Sequence, residues 1–187
     1  MKKVKFDDVL IYCVMSLSPK SRPPKSILVV CLGNICRSPV GEYLLRYYSK
    51  QSSVPEVREI IVDSAGISPV FKQMSAHSAH YLELMGINSA EFQSKRITRE
   101  LIKNHELILV MEENQKVDIK DLLDPAENGN NNSLNFLKVM TFAEAAGFEG
   151  DVEDPYGASW EVYRNVLDQI HHYAKKMIEI WEKNHSG

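Results

Sequence analysis

The sequence predicts an α/β fold: a doubly wound, four-stranded parallel sheet with helices on both faces and an anion-binding loop after strand one. Three observations carry this. From residue 26 onward, short β-branched and apolar runs alternate with segments whose apolar residues recur at helical spacing. The last such segment has apolar residues at 160, 163, 166, 167, 170, 174, 177, 178 and 181, a one-sided stripe. The first strand leads straight into Cys31-Leu32-Gly33-Asn34-Ile35-Cys36-Arg37-Ser38-Pro39 and then into a helix. In a doubly wound sheet, that turn lies beyond the strands' carboxyl ends, where ligands bind.

Each element follows from its own residues. Ser26-Ile27-Leu28-Val29-Val30 reads as a buried strand, placed at 27–31. Val40 to Tyr48 is apolar at 40, 43, 44 and 47, which predicts an amphipathic helix over 39–50. Pro39 suits its first position and Ser38 its cap. Strand two is placed at 58–63 and helix two at 75–85, opened by Ser75. Strand three is placed at 106–111 and helix three at 114–123. Asp124 to Ser133, with Asn-Gly-Asn-Asn-Asn inside it, reads as a polar loop. Strand four is placed at 136–141 and the last helix at 159–183.

Residues 1–25 are expected to be an N-terminal extension and linker, and 26–187 one domain. The apolar run 9–17 is too short to span a bilayer. Met1-Lys2-Lys3 ahead of it gives a faint likeness to a signal peptide. Against that, Asp7 and Asp8 precede the run, and no small-x-small cleavage site follows. Of 187 residues, 44% are hydrophobic and 25% charged, ordinary for a globular domain. A net charge of −3 leaves no electrostatic footprint for nucleic acid or an anionic membrane. Three cysteines in a chain this long do not make a disulfide scaffold. A working thiolate also suits a reducing compartment, so the cytoplasm is expected.

The chemistry sits in the loop from Cys31 to Arg37. Its backbone N–H groups, through Leu32, Gly33, Asn34, Ile35 and Cys36, can converge on an anion at the start of a helix, making it a phosphate-binding loop. A thiol there favours its thiolate and is placed to attack phosphorus, so Cys31 is read as a nucleophile. Arg37 offers a rigid, always-charged fork for two phosphoryl oxygens. Ser38 can donate to the Cys31 sulfur as well as cap the helix. Gly33 and Asn34 suit a left-handed turn. The plainer alternatives are a buried strand-end cysteine, a surface salt bridge and a simple cap. Cys36 is either a small core residue or a partner for Cys31 in a reversible disulfide.

This stretch resembles the phosphate loop of the low-molecular-weight protein tyrosine phosphatases. Val62-Asp63-Ser64-Ala65-Gly66, Glu106-Leu107-Ile108-Leu109-Val110-Met111-Glu112 and Asp154-Pro155-Tyr156-Gly157 resemble three further stretches of that family, in the same order. The likeness covers residues 26 to 183 and is closer to bacterial and archaeal members. It implies hydrolysis of phosphotyrosine through a phosphocysteine intermediate, without cofactor or metal. It implies that Asp154 is the general acid and then the base, and that Asn34 bonds Ser64 to brace the loop. Tyr156 would line the pocket mouth. The implied partners are tyrosine-phosphorylated proteins, with a tyrosine kinase among the candidates, and inorganic phosphate as product. Neither nucleic acid nor a membrane span is implied.

One departure stands out. Many family members place a loop-bracing histidine where this chain has Phe92. His77 and His80 lie three apart, without acidic or cysteine partners at ligand spacing, and read as surface residues. Three rival functions remain. Arsenate reduction on the same fold needs further cysteines, and none follows Cys36. Protein-arginine phosphatases tend to carry threonine where Ile35 stands, and isoleucine favours a phenyl ring. A non-catalytic phosphate-binding module would be expected to have lost Cys, Arg or Asp, and all three are present.

Overall fold

A computed structural model describes residues 22–123 and 139–184. Most of the expected N-terminal extension, the polar loop 124–133 and the start of strand four lie outside the described residues. The central strand β1 (Ser26–Cys31) pairs in parallel with β2 (Ile61–Gly66) on one side and β3 (Leu107–Val110) on the other. β4 (Val139–Thr141) joins β3, giving the order β2-β1-β3-β4, all parallel. The chain leaves β1 in one direction to make β2 and returns past it to make β3. The carboxyl ends of β1 and β3 therefore flank the point where the winding reverses, and a crevice opens there.

Both faces of the sheet are covered. Ile27 and Val29 of β1 and Leu107 and Leu109 of β3 face one core; Leu28, Val30, Ile108 and Val110 face the other. All are essentially inaccessible, which is why these strands read as continuous apolar runs rather than alternating ones. The larger core is roofed by α1 (Arg37–Gln51), α3 (Ala76–Leu84), α6 (Phe142–Ala146) and α7 (Trp160–Lys183), and also takes in Val57 of α2 (Pro55–Arg58). The smaller core packs under α4 (Arg99–Asn104) and α5 (Gln115–Leu123). The helical stripe of α7 buries Tyr163, Val166, Leu167, Ile170, Ala174, Met177, Ile178 and Trp181, as its spacing predicts.

Two expectations need correction. Strand two begins at Ile61, not at 58. Pro55 takes an early helical position, the Glu59 N–H closes on the Pro55 carbonyl, and Arg58 ends a one-turn helix instead of starting a strand. Helix one begins at Arg37, not at Pro39. Cys36 holds the cap position without a side-chain capping bond, and Ser38 lies inside the first turn with its hydroxyl turned elsewhere. The short helices α2, α4 and α6 carry too few residues for a periodic signal.

The shifted register of β2 matters to the site. Cys31 pairs with Gly66, so the end of β2 runs directly beneath the loop. A Cβ on Gly66 would stand 3.0 Å from Asn34 Cβ, Asn34 N and Gly33 C. Only glycine lets the strand approach that closely.

Candidate active site

Cys31 closes β1, and the loop 32–36 carries the chain into α1. Asn34, fully buried, takes the left-handed conformation at φ 51°. Asparagine tolerates that region because its short polar side chain bonds locally. Its bonds fix the direction of a whole network. The backbone N–H of Lys95 donates to Asn34 Oδ1 at 3.0 Å, so the amide nitrogen must face the other way. It donates to Ser38 Oγ at 3.0 Å and to Ser64 Oγ at 2.8 Å. Each hydroxyl has received a proton and gives its own elsewhere. Ser64 donates to the buried carboxylate of Glu42, and Ser38 lies 3.0 Å from Cys31 Sγ. Ser38, with one lone pair taken by Asn34, has its own proton to give, and the Cys31 sulfur is the acceptor within reach.

Arg37 has 1% of its surface exposed, so its charge needs partners. Nη1 donates to Glu112 Oε1 at 2.5 Å and to the Val152 carbonyl at 2.8 Å. Nη2 donates to Asp154 Oδ2 at 2.7 Å. Nε, also buried, has no partner among the described residues. An unsatisfied buried donor costs about 1–3 kcal/mol. Nη1 is fully used, so Nε–H and one Nη2–H remain on one edge of the fork, the arrangement that grips an oxyanion through two bonds. The backbone N–H groups of Gly33, Asn34 and Ile35 likewise meet no acceptor among the described residues.

The loop 147–158 brings the acid to this place. The Val152 N–H donates to the Met111 carbonyl at 2.8 Å, continuing from the end of β3. Asp151 accepts the Glu113 N–H at 2.9 Å, so its carboxylate anchors the loop. Asp154 reaches Arg37, while its other oxygen accepts the Tyr156 N–H. Of the two aspartates in this loop, Asp154 is the one in contact with Arg37.

Cys31, Leu32, Gly33, Ile35, Cys36, Arg37, Ser68, Val70, Phe71, Asp154 and Tyr156 line one cleft of about 220 Å³. Its floor is the thiol, the guanidinium and the loop backbone. Its rim is apolar and open to solvent: Leu32, Val70, Phe71 and Tyr156 are all more than half exposed. A charged floor under an apolar rim fits a flat apolar group carrying a phosphoryl end.

Every site residue expected from the sequence gathers at this cleft or in the network behind it. Val70, Phe71, Glu112 and Glu42 join the site without a signal of their own in the sequence. Glu112 lay in a recognised strand stretch, but nothing marked its carboxylate as Arg37's partner. Glu42 is buried among α1 residues, and burial pushes its carboxyl up from the usual carboxylate range, against the Ser64 bond and the Arg46 charge. Phe92, at the position of the family's histidine, packs edge-on against Tyr43. Asn34 and Ser64 bond without it, and Glu42 ends the network instead. His77 and His80 pack on Trp160. No group of three metal-ligating side chains occurs among the described residues. Burial pushes the Cys36 thiol up, opposed by its bond from Tyr163.

Comparison with known proteins agrees with this geometry. The family model described as low molecular weight phosphotyrosine protein phosphatase matches residues 26–186. The low molecular weight protein-tyrosine-phosphatase Ptp of Acinetobacter johnsonii is 40% identical over 133 residues, 71% of this chain and 80% of that one. The tyrosine phosphatase Wzb from Escherichia coli K30, solved in complex with sulphate, superposes with a TM-score of 0.69 at 26% identity, covering 83% of this chain and 97% of that one. The YwlE arginine phosphatase from Geobacillus stearothermophilus superposes with a TM-score of 0.66 at 29% identity, covering 83% and 92%.

The network yields a direct test. Asn34→Asp keeps the shape, removes both side-chain donors and offers Ser38 a carboxylate in place of the sulfur. Alkylation of Cys31 by iodoacetamide at neutral pH should slow by roughly tenfold or more, the scale of one hydrogen bond to a charged group. An unchanged rate would show that the sulfur does not depend on this network.

Proposed function

The chain belongs to the low molecular weight phosphotyrosine protein phosphatase family, and we propose that it hydrolyses phosphotyrosine in proteins through a phosphocysteine on Cys31. The observation that carries this reading is the cleft itself, with a hydrogen-bonded sulfur and a buried guanidinium beneath an apolar rim. A phosphate monoester dianion repels a nucleophile unless positive charge meets it first. Here Arg37 and the loop N–H groups would supply that charge without reorganising during the reaction. The thiolate attacks phosphorus in line with the ester oxygen, a sulfur–phosphorus bond forms, and the phosphorus–oxygen bond to the phenol breaks. Asp154 gives its proton to the departing oxygen. It then takes a proton from water, whose oxygen attacks phosphorus, releasing phosphate and the Cys31 thiolate.

The arginine phosphatase in the comparison raises a second substrate class. Ile35, Leu32, Val70, Phe71 and Tyr156 present an apolar frame, which favours a phenyl ring over a charged guanidino group. Among the described residues no helix is long and apolar enough to cross a membrane. Free buried thiols at positions 31 and 36 suit a reducing interior, so the proposed place of work is the cytoplasm.

Both thiols line the cleft, which supports a redox role. Peroxide would oxidise Cys31 to a sulfenic acid. The Cys36 thiol would then displace water to form a disulfide, which added thiol reverses. Recovery after mild peroxide should be nearly complete in the unsubstituted chain and much poorer in Cys36→Ala. Equal recovery would make Cys36 a packing residue.

The acid is tested by its leaving-group dependence. Asp154→Asn should lower kcat/KM, which reads the step that releases the phenol and not the later attack by water, by roughly 10² to 10⁴ for a phosphotyrosine peptide, the usual worth of general-acid help. The loss with p-nitrophenyl phosphate should be much smaller, because that oxygen leaves well as an anion. Equal losses, or a selective loss in Asp151→Asn instead, would reject Asp154.

A further inference from the structure

The cleft over Cys31 continues past its own rim. Ile35, Phe71 and Tyr156 also line a second groove, of about 550 Å³, which runs on across Lys72, Gln73, Met74 and Ser75. Its wall, the segment between β2 and α3, is tied to the phosphate loop at both ends. The Ser68 N–H donates to the Leu32 carbonyl at 2.8 Å and the Ser75 N–H to the Ile35 carbonyl at 2.9 Å. On the outer side, the Ser94 N–H donates to the Lys72 carbonyl at 2.7 Å, and the Ser94 hydroxyl donates to the Phe71 carbonyl. A wall braced in this way holds Val70 and Phe71, 80% and 55% exposed, toward solvent. Exposed apolar side chains on a fixed segment mark a contact surface.

Among the described residues lining this groove, Lys72 is the one with a formal charge. Its ammonium pairs with no carboxylate among the described residues, whereas Lys95 is engaged by Asp63. The groove is therefore cationic where it leads away from the catalytic floor. A phosphotyrosine seated in the cleft brings its own main chain up to the rim. An extended peptide advances about 3.3 Å per residue, so its next residues enter the groove.

We propose that this groove binds the residues flanking the phosphotyrosine and that Lys72 selects a carboxylate side chain there. The proposal rests on the phosphotyrosine reading above. It adds a substrate class: tyrosine-phosphorylated segments with Asp or Glu beside the phosphorylated residue. Continuity with the cleft and the unpaired cation are what support it.

The experiment compares kcat/KM for phosphotyrosine peptides that differ only in the two residues on each side of the phosphotyrosine, all Ala, all Glu or all Lys. The chain should prefer the Glu peptide over the Ala peptide by about two- to fivefold, the range for an exposed ion pair. The preference should shrink as salt is raised. It should vanish in Lys72→Ala and turn toward the Lys peptide in Lys72→Glu. Equal kcat/KM for all three peptides, or a Glu preference undiminished in Lys72→Ala, would overturn the proposal. In either case turnover of the Ala peptide leaves the phosphotyrosine reading standing. Failure to hydrolyse any of the three would overturn both.

Discussion

A buried guanidinium cannot stand alone in a protein interior, and the site is arranged around that constraint. A buried charge left without partners is strongly destabilising, so Arg37 ties down the carboxylates that face it. Glu112 comes from the end of β3, Val152 and Asp154 come from the loop that precedes α7, and Arg37 itself opens α1. Three segments far apart in sequence are thereby gathered at the crevice between β1 and β3. The same constraint leaves one edge of the fork, with Nε, for an anion. A residue that organises the fold locally is also the residue proposed to grip the substrate.

The second constraint is directional. Asn34 can serve two hydroxyls only because the Lys95 N–H holds its oxygen. Once the amide is oriented, Ser64 gives its proton to Glu42, and Ser38 is left with one to give to the sulfur. This requires a left-handed residue at position 34 and a strand end with no side chain at position 66. Packing thus decides a proton's place. The β1–β2 register sets Gly66 beneath Asn34, Asn34 orients Ser38, and Ser38 meets the Cys31 sulfur.

Much of this is legible in the sequence. The parallel sheet follows from apolar runs such as Ile27 to Val30 and Leu107 to Val110, buried on both faces. Cys31, Arg37, Ser38 and Asn34 are close in sequence, so their loop is readable as a unit. Asp154 needs family likeness, because nothing local separates it from Asp151. Their different bonds distinguish them only in three dimensions. Glu42 and Glu112 are invisible for a related reason: each looks like a helix or loop carboxylate until burial and a partner give it a role. The start of β2 is not legible because Val57 inside a one-turn helix and Ile60 and Ile61 after it give one continuous apolar signal. Val70 and Phe71 lie in a connection without periodicity, and only their exposure on a braced loop marks them.

The central claim is that phosphate passes through the sulfur of Cys31. The most direct measurement is to mix the Asp154→Asn variant with p-nitrophenyl phosphate, quench within the first turnover, and locate the phosphoryl group by peptide mass spectrometry. In this variant the missing carboxylate slows attack by water more than attack by sulfur, so the intermediate should accumulate. The account predicts one added phosphoryl group on the peptide that carries Cys31, bound to sulfur and absent when Cys31 is replaced by Ala. Phosphate on any other residue, or turnover with no covalent intermediate at any quench time, would contradict it.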